Sequence, residues 1–361
     1  MSFSLNSYPV SFRAKYGASD WTFEYLEKPH NGSPKEEASL SADEQNKIAC
    51  SRNVYDDMPL VSYTTQYGMS VFEGIKALPQ KDGSLAIFRP QRNAERFFKS
   101  MGGLYMPQFP QKLFVEACVE TIRRNQKLGW TPTYKAEWEK DSYMSADAVY
   151  IRPFTYSEGG VGVGLSSHPW VIIVCTTVGA YFDNKLSGAV ISNKFRATKN
   201  GTGWIKASSN YVISALAKHD AAVAGFMECI FLDAQEHKYI EEGSSCNIFF
   251  YLKNGELVTP ELGDTILPGI TRESLIELAR SQNVKVTERK ITVDEALSEA
   301  KECFVSGTAA GVTPIDALTY NGKKVVFNGG KVGELTAQLR NTLKGIQYGS
   351  IPDTNAWLVK V

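Results

Sequence analysis

Segments with strand-like and helix-like patterns alternate along the whole chain, and this alternation constrains the fold more than any other feature. Helical periodicity marks 93–101 and 111–127, and two apolar stretches typical of strands follow at 148–156 and 170–178. The alternation continues with segments at 210–224, 228–232, 246–252, 271–281, 284–289, 302–306 and 333–346. The order predicts a mixed α/β fold of the α+β class.

The apolar pattern is weakest over 184–194, which begins with Asn, Lys, Leu, Ser and Gly. A chain of 361 residues is long enough for two domains of ordinary size. We therefore expect a smaller N-terminal domain at 1–183, a linker at 184–194 and a larger domain at 195–361.

The charge balance argues against several classes of partner. Lysine plus arginine total 39 and aspartate plus glutamate total 39, so no field of one sign is available to bind nucleic acid or an anionic membrane. No apolar run approaches the roughly 20 residues of a membrane-spanning helix. The four histidines are widely spaced and form no metal-ligand pair, so we expect no metal centre.

Cysteine usage indicates the compartment. The six cysteines are scattered singly, without a C-x-x-C pair, and the first residues lack the basic start and apolar run of a secretory signal. We expect free thiols and a soluble, cytoplasmic protein.

Common signatures of enzymes are missing from the sequence. The glycine block 159–164 does not have the spacing G-x-G-x-x-G and does not lead into a helix, so it does not predict a dinucleotide site. There is also no G-x-x-x-x-G-K-[ST] loop and no G-x-S-x-G elbow. The ordinary dehydrogenase, nucleotide and hydrolase sites are therefore not indicated.

One lysine has a neighbourhood suited to covalent chemistry. Lys206 stands among apolar and small residues in the segment 203–211, just before a helix-like stretch. An apolar pocket lowers the pKa of a lysine, so that its amine can form a Schiff base with an aldehyde cofactor. The alternative is an exposed surface lysine, which this segment alone does not exclude.

Two carboxylates could serve the same cofactor. Glu241 and Glu242 are predicted to lie at a turn before the apolar strand 246–252. A carboxylate carried inward there would keep a pyridinium nitrogen protonated, as an electron-sink cofactor requires. A solvated turn is the alternative.

Three further features are suited to anions. The helix start at Ile270 and Thr271 and the small-residue turn 307–311 both offer backbone amides to a phosphate or carboxylate. Arg96 adds a positive charge on a helix. An ordinary helix start and a surface salt bridge are the alternatives.

Taken together, these segments resemble the branched-chain amino acid aminotransferases, which are fold type IV enzymes dependent on pyridoxal 5'-phosphate. Further motifs of that family occur in the same order at 67–76, 88–90, 150–153, 178–182 and 346–349. The resemblance implies a small α/β sandwich domain and a larger pseudo-barrel domain. It also implies reversible transamination of L-leucine, L-isoleucine and L-valine with 2-oxoglutarate.

The resemblance also assigns roles around the cofactor. Lys206 matches the Schiff-base lysine, and Glu242, five residues before Asn247, matches the partner of the pyridine nitrogen. Glu241 could be the partner of the pyridine nitrogen instead. If it is not, the family pattern assigns it no role. The remaining cofactor contacts that the family implies are Tyr211 at the phenolic oxygen and Arg96, Ile270, Thr271 and Thr308 at the phosphate.

The family pattern extends to the substrate and to a second subunit. The substrate contacts it implies are Tyr67, Phe72, Tyr150, Arg152, Tyr181, Thr308 and Ala309. The loop at Val163 resembles the piece that reaches the neighbouring subunit's site, which implies a homodimer. Alternatives are a D-amino acid aminotransferase, an aminodeoxychorismate lyase, an R-amine transaminase or a non-catalytic binding protein.

Overall fold

A computed structural model describes residues 7–178 and 187–361. Its described strands are β1 (Val10–Tyr16), β2 (Trp21–Glu27), β3 (Ile75–Pro79), β4 (Leu85–Phe88), β5 (Ala148–Tyr156), β6 (Trp170–Val178), β7 (Ser187–Ile191), β8 (Phe226–Leu232), β9 (Ile240–Gly243), β10 (Asn247–Leu252), β11 (Glu256–Thr259), β12 (Lys285–Glu288), β13 (Ala300–Gly307), β14 (Gly311–Ile315), β15 (Ala317–Tyr320), β16 (Lys323–Val326) and β17 (Leu358–Lys360). Its α-helices are α1 (Pro34–Glu37), α2 (Ala42–Ser51), α3 (Tyr63–Tyr67), α4 (Pro90–Gly103), α5 (Gln111–Lys127), α6 (Tyr211–Val223), α7 (Ile270–Ser281), α8 (Val293–Glu299) and α9 (Glu334–Gln347). This mixture confirms the predicted fold class.

The chain divides into two compact units. The described part of the N-terminal unit comprises 7–178, 206–209 and 346–361, and that of the C-terminal unit comprises 187–205 and 210–345. These units differ from the continuous domains that we predicted, because β17 returns to pair with β4 and because β7, in the predicted linker, pairs with β8. Both pairings join residues that are far apart in sequence.

A seven-stranded antiparallel sheet forms the centre of the N-terminal unit, in the order β17-β4-β3-β5-β6-β1-β2. Helix α5 packs against β1 and β6. Its buried residues Phe114, Cys118 and Ile122 recur at the helical period, so one apolar face covers the sheet. Asn125 on this face donates to Val10 O at 2.9 Å and accepts from Val10 N–H at 3.0 Å, which satisfies the buried amide.

The described strands of the C-terminal unit form two five-stranded sheets, β12-β11-β10-β13-β14 and β16-β15-β7-β8-β9. Ile248 and Phe250 of β10, with Val305 of β13, belong to one buried apolar cluster. Helix α7 packs against β12 and β13, and α6 packs against β8. This core carries the predicted anion-binding segments at the ends of its strands and helices.

Within residues 7–178 and 187–361, no helix combines the length and apolar character needed to cross a membrane.

Candidate active site

Backbone hydrogen bonds on both sides fix Lys206 within the N-terminal unit. Phe72 N–H donates to Lys206 O at 3.0 Å, and Lys206 N–H donates to Ser100 Oγ at 3.2 Å. Val71 and Ala207 form an antiparallel bridge beside it. The side chain is half-buried, with Nζ 4.8 Å from the centroid of the Phe72 ring. The structure therefore does not support the alternative of an exposed surface lysine.

The surroundings of Lys206 lower the pKa of its side-chain amine. Burial, followed by the positive charge of Arg96, lowers the pKa of Lys206 to about 8, although Glu73 opposes this shift. At pH 7 about a tenth of such amines are neutral, far more than for a lysine in water. Lys206 can therefore act as a nucleophile and as a base near neutral pH.

Arg96 lies in a buried ion pair instead of the surface salt bridge considered above. Its Nε donates to Glu73 Oε1 at 2.7 Å and its Nη2 to Oε2 at 2.8 Å, while Asn93 Nδ2 also donates to Oε2 at 2.8 Å. Glu73 is fully buried and Arg96 nearly so. Burial acts to raise the pKa of Glu73, but the charge and hydrogen bonds of Arg96, together with Lys206 and Asn93, outweigh it and lower that pKa. Glu73 is a site residue that we did not predict, although a carboxylate within the apolar segment 71–75 was a signal for it.

Three predicted substrate residues lie together in the same unit. The Arg152 guanidinium carbon is 4.9 Å from the ring centroid of Phe72 and 5.1 Å from that of Tyr150, and Nη2 donates to the Tyr150 hydroxyl at 3.1 Å. Gly74 permits this arrangement, since a Cβ there would overlap the Tyr150 hydroxyl. Arg152 Nε is buried and has no hydrogen-bond partner among the described residues.

Tyr67 and Val163 also belong to the N-terminal unit. Tyr67 ends α3, and its hydroxyl accepts from Gly162 N–H at 2.9 Å, so it contacts the loop that carries Val163. Val163 is 94% exposed. Tyr181, which we also predicted as a substrate contact, lies outside the described residues.

In the C-terminal unit Glu242 is buried in β9, so the prediction of a turn for both glutamates was wrong. Arg196 Nη2 lies 2.5 Å from Glu242 Oε1, which also accepts from Leu267 N–H at 3.2 Å. Asn247 Nδ2 donates to Oε2 at 3.2 Å. These donors stabilise an ionised carboxylate. We did not predict Arg196, which lies 46 positions from Glu242 in the sequence.

Anion-binding features accompany Glu242 in this unit. Ile270 and Thr271 begin α7, and its N-cap, Gly269, provides no side-chain acceptor for their amides. Thr308 and Ala309 are half-buried in the turn between β13 and β14. Tyr211 is half-buried at the first turn of α6.

Comparison with known proteins identifies the family. The model of the amino-transferase class IV family matches residues 70–318. This chain belongs to the class IV aminotransferases. It is similar to a probable branched-chain-amino-acid aminotransferase of Staphylococcus aureus strain N315, with 38% identity over 305 residues that cover 82% of this chain and 81% of the relative. A branched-chain-amino-acid aminotransferase of Mycolicibacterium smegmatis is 37% identical over 307 residues, which cover 82% of this chain and 80% of that protein.

Solved structures of branched-chain amino acid aminotransferases agree with this assignment. The branched-chain amino acid aminotransferase of Escherichia coli has a TM-score of 0.70 and 30% identity, and the likeness covers 84% of this chain and 93% of that one. The branched-chain amino acid aminotransferase of Thermobaculum terrenum, in its PLP-form, has a TM-score of 0.70 and 28% identity, and covers 84% of this chain and 93% of that one. The family that we predicted is therefore confirmed.

Replacing Gly269 in this class IV aminotransferase is expected to be destabilising. A Cβ on Gly269 would overlap Asn247 Oδ1, so Gly269→Ala should displace Asn247 or the start of α7 at a cost of about 1–3 kcal/mol. The free energy of unfolding in urea measures this cost. Gly263→Ala is the matched control, because a Cβ there meets no atom within 4 Å. Equal stabilities for the two variants would contradict the prediction.

Proposed function

We propose that this chain catalyses the reversible transamination of L-leucine, L-isoleucine and L-valine with 2-oxoglutarate, giving branched 2-oxo acids and L-glutamate. The cofactor is pyridoxal 5'-phosphate. The observation that carries the proposal is the half-buried Lys206, whose pKa is lowered to about 8, in a chain similar to branched-chain aminotransferases over about four fifths of its length.

Each unit, taken by itself, carries residues that suit this cofactor. In the N-terminal unit, the amine of Lys206 is accompanied by the guanidinium groups of Arg96 and Arg152, and Arg152 Nε is a buried donor without a described partner. In the C-terminal unit, the uncapped start of α7 suits a phosphate, and the buried Glu242 suits a protonated ring nitrogen. When bound, the cofactor supplies an aldehyde carbon and an electron-accepting ring.

Each of these groups has a separate task in the proposed reaction. Lys206 Nζ would hold the cofactor covalently, and as a free amine it would accept the proton from the substrate Cα. Glu242 would hold a protonated ring nitrogen, because Arg196 and Asn247 contact its two oxygens and favour its ionised form. We assign phosphate binding to Arg96 and to the amides of 270–271, with Thr308. Tyr211 is assigned to the phenolic oxygen.

The proposed substrate contacts account for the range of amino acids. Burial of a leucine-sized side chain against Phe72 and Tyr150 contributes about 1.5–3 kcal/mol, and the difference between leucine, isoleucine and valine is smaller than that. Arg152 offers a charge to the second carboxylate of glutamate. Tyr67, with the Thr308 and Ala309 amides, is assigned to the α-carboxylate.

We further propose a homodimer in the cytoplasm. Val161, Val163 and Leu165 are 84%, 94% and 55% exposed on one loop, an apolar surface that a second copy would cover. Five of the six cysteines are buried and all six are free thiols, which suits a reducing compartment.

The absorbance of the cofactor tests the substrate class. L-leucine, D-alanine, aminodeoxychorismate and an R-amine are added in turn to the protein with pyridoxal 5'-phosphate. We expect L-leucine alone to convert the cofactor to its pyridoxamine form, and 2-oxoglutarate to reverse the change. Conversion by D-alanine or the R-amine but not by L-leucine would assign the chain to another activity of the family.

The pH dependence of amine labelling tests the electrostatics of Lys206. The neutral amine reacts with acetic anhydride, so labelling of the cofactor-free protein should rise with pH with a midpoint near 8. Mass spectrometry of the peptide that carries Lys206 measures it. In the urea-unfolded protein the midpoint should return to about 10.4. The same midpoint in both states would refute the assigned shift.

A further inference from the structure

A carboxylate closes the loop 159–165 of the N-terminal unit. Glu158, half-buried at the start of this loop, accepts a hydrogen bond from Ser166 Oγ at Oε2. Its Oε1 accepts from the backbone N–H groups of Ser167 at 2.6 Å and His168 at 3.2 Å. Burial acts to raise the pKa of Glu158, but the hydrogen bonds to its two oxygens outweigh it and lower that pKa. One ionised side chain therefore joins the two ends of the loop.

The same loop packs on helix α3. Gly159 forms an antiparallel bridge with Ser62, the N-cap of α3. Tyr63 is the first residue of this helix, and a Cβ on Gly160 or Gly164 would lie only 2.4 or 3.0 Å from its Cζ. Both glycines therefore let the backbone of the loop lie against this ring, and the loop and α3 form one packed piece of the N-terminal unit.

The loop also places a backbone amide on a predicted substrate contact. Gly162 N–H donates to the hydroxyl of Tyr67, the last residue of α3, which is 42% exposed. The direction of this amide depends on the conformation of the loop, since Gly162 has a φ of 100°, which other residues rarely adopt. A tyrosine hydroxyl both accepts and donates, so with the amide at its oxygen its hydrogen is available to an anion.

We propose that Glu158 is a positioning residue for substrate binding: by closing the loop it holds the Gly162 amide on the Tyr67 hydroxyl and so directs the hydroxyl hydrogen toward the α-carboxylate. This inference rests on the proposed function, in which Tyr67 is assigned to that carboxylate. L-leucine and 2-oxoglutarate both carry a carboxylate beside the reacting carbon. Glu158 therefore supports the binding of both substrates.

Steady-state kinetics of Glu158→Ala test the proposal. We expect the KM values for L-leucine and 2-oxoglutarate to rise at least about fivefold with kcat within about twofold, because the carboxylate contact weakens in the ground state and the transition state alike. Glu158→Gln should keep both KM values within about twofold, because its amide oxygen accepts from both backbone N–H groups and its amide nitrogen donates to Ser166 Oγ. Glu137→Ala, which removes an exposed glutamate of the same unit, should leave both KM values unchanged.

A double-mutant cycle with Tyr67→Phe separates positioning from a general structural role. The phenylalanine lacks the hydroxyl that Gly162 contacts. If Glu158 acts through that hydroxyl, Glu158→Ala should change the KM values by less than about twofold in the Tyr67→Phe background. A general structural effect would instead raise them by about fivefold in both backgrounds.

Two kinetic results with an active unaltered protein would overturn the inference: unchanged KM values in Glu158→Ala, or the same rise in both backgrounds. An unaltered protein that forms no glutamate from L-leucine would instead reject the proposed function. Hydrogen exchange of the amides of 159–168 then tests the loop closure alone. Exchange should be faster in Glu158→Ala than in the unaltered protein, and equal exchange would overturn the inference.

Ser166→Ala decides the matter if Glu158→Ala does not fold. This variant removes one hydrogen bond to Glu158 and leaves the carboxylate in place. Both KM values should then rise by about twofold or more. Unchanged values in a folded Ser166→Ala protein would reject the positioning role.

Discussion

The Lys206→Ala variant is expected to lose transamination activity by at least about 10³-fold in kcat, because the side chain is assigned both the covalent hold on the cofactor and the proton transfer at Cα. Steady-state formation of glutamate from L-leucine and 2-oxoglutarate measures the loss. Lys206→Arg should lose as much, because arginine retains the positive charge and does not deprotonate near neutral pH.

Lys99→Ala provides the matched control for this prediction. Lys99 is an exposed lysine on α4 of the same unit, so its removal should leave kcat within about twofold of the original. Substantial activity in Lys206→Ala would reject the mechanism. Equal losses in Lys99→Ala and Lys206→Ala would show that the effect is not specific to the site.

The Glu73→Gln variant is expected to lower the free energy of unfolding by about 3–5 kcal/mol, because it leaves the buried Arg96 charge without its carboxylate. Urea unfolding measures this. Glu116→Gln removes the partner of Lys112 in an exposed pair, 3.8 Å apart, and should change stability by less than about 1 kcal/mol. Equal losses for the two variants would contradict the assigned role of burial.

The stability that Glu73 contributes should also depend on pH in a defined direction. Its pKa is lower in the folded protein than in the unfolded chain, so the contribution is full above the unfolded pKa, about 4.3. It is lost as the pH falls through the folded pKa. The difference in stability between the original protein and Glu73→Gln should therefore shrink under acidic conditions. A difference that grows as the pH falls would refute this assignment.

Local periodicity was sufficient to predict the bounds of the longest strands and of the longest helix. The predicted strands at 148–156 and 170–178 and the helix at 111–127 have the same bounds in the structure. Glu241 and Glu242 were misplaced because the short strand β9, of four residues, has too few residues to show a period. The pairing of β17 with β4 brings together residues about 270 positions apart, and no local pattern indicates it.

The candidate site was predictable only in part, because it also depends on contacts between segments that are distant in sequence. The spacing of five residues between Glu242 and Asn247 singled out Glu242, and the structure places these two side chains within a hydrogen bond of each other. Arg196 and Glu73 were not predicted. Each acts through an ion pair with a buried charge on another segment, and the sequence does not show which charges meet.

The sequence by itself determined the longer helices and strands, the family and the residue types available for chemistry, since these follow from periodicity and from collinear motifs. Only the tertiary structure decided which polar groups are buried and what they pair with. Burial and pairing depend on contacts between distant segments, and these contacts lower the pKa of Lys206, join Arg96 to Glu73 and leave one oxygen of Glu241 without a described donor.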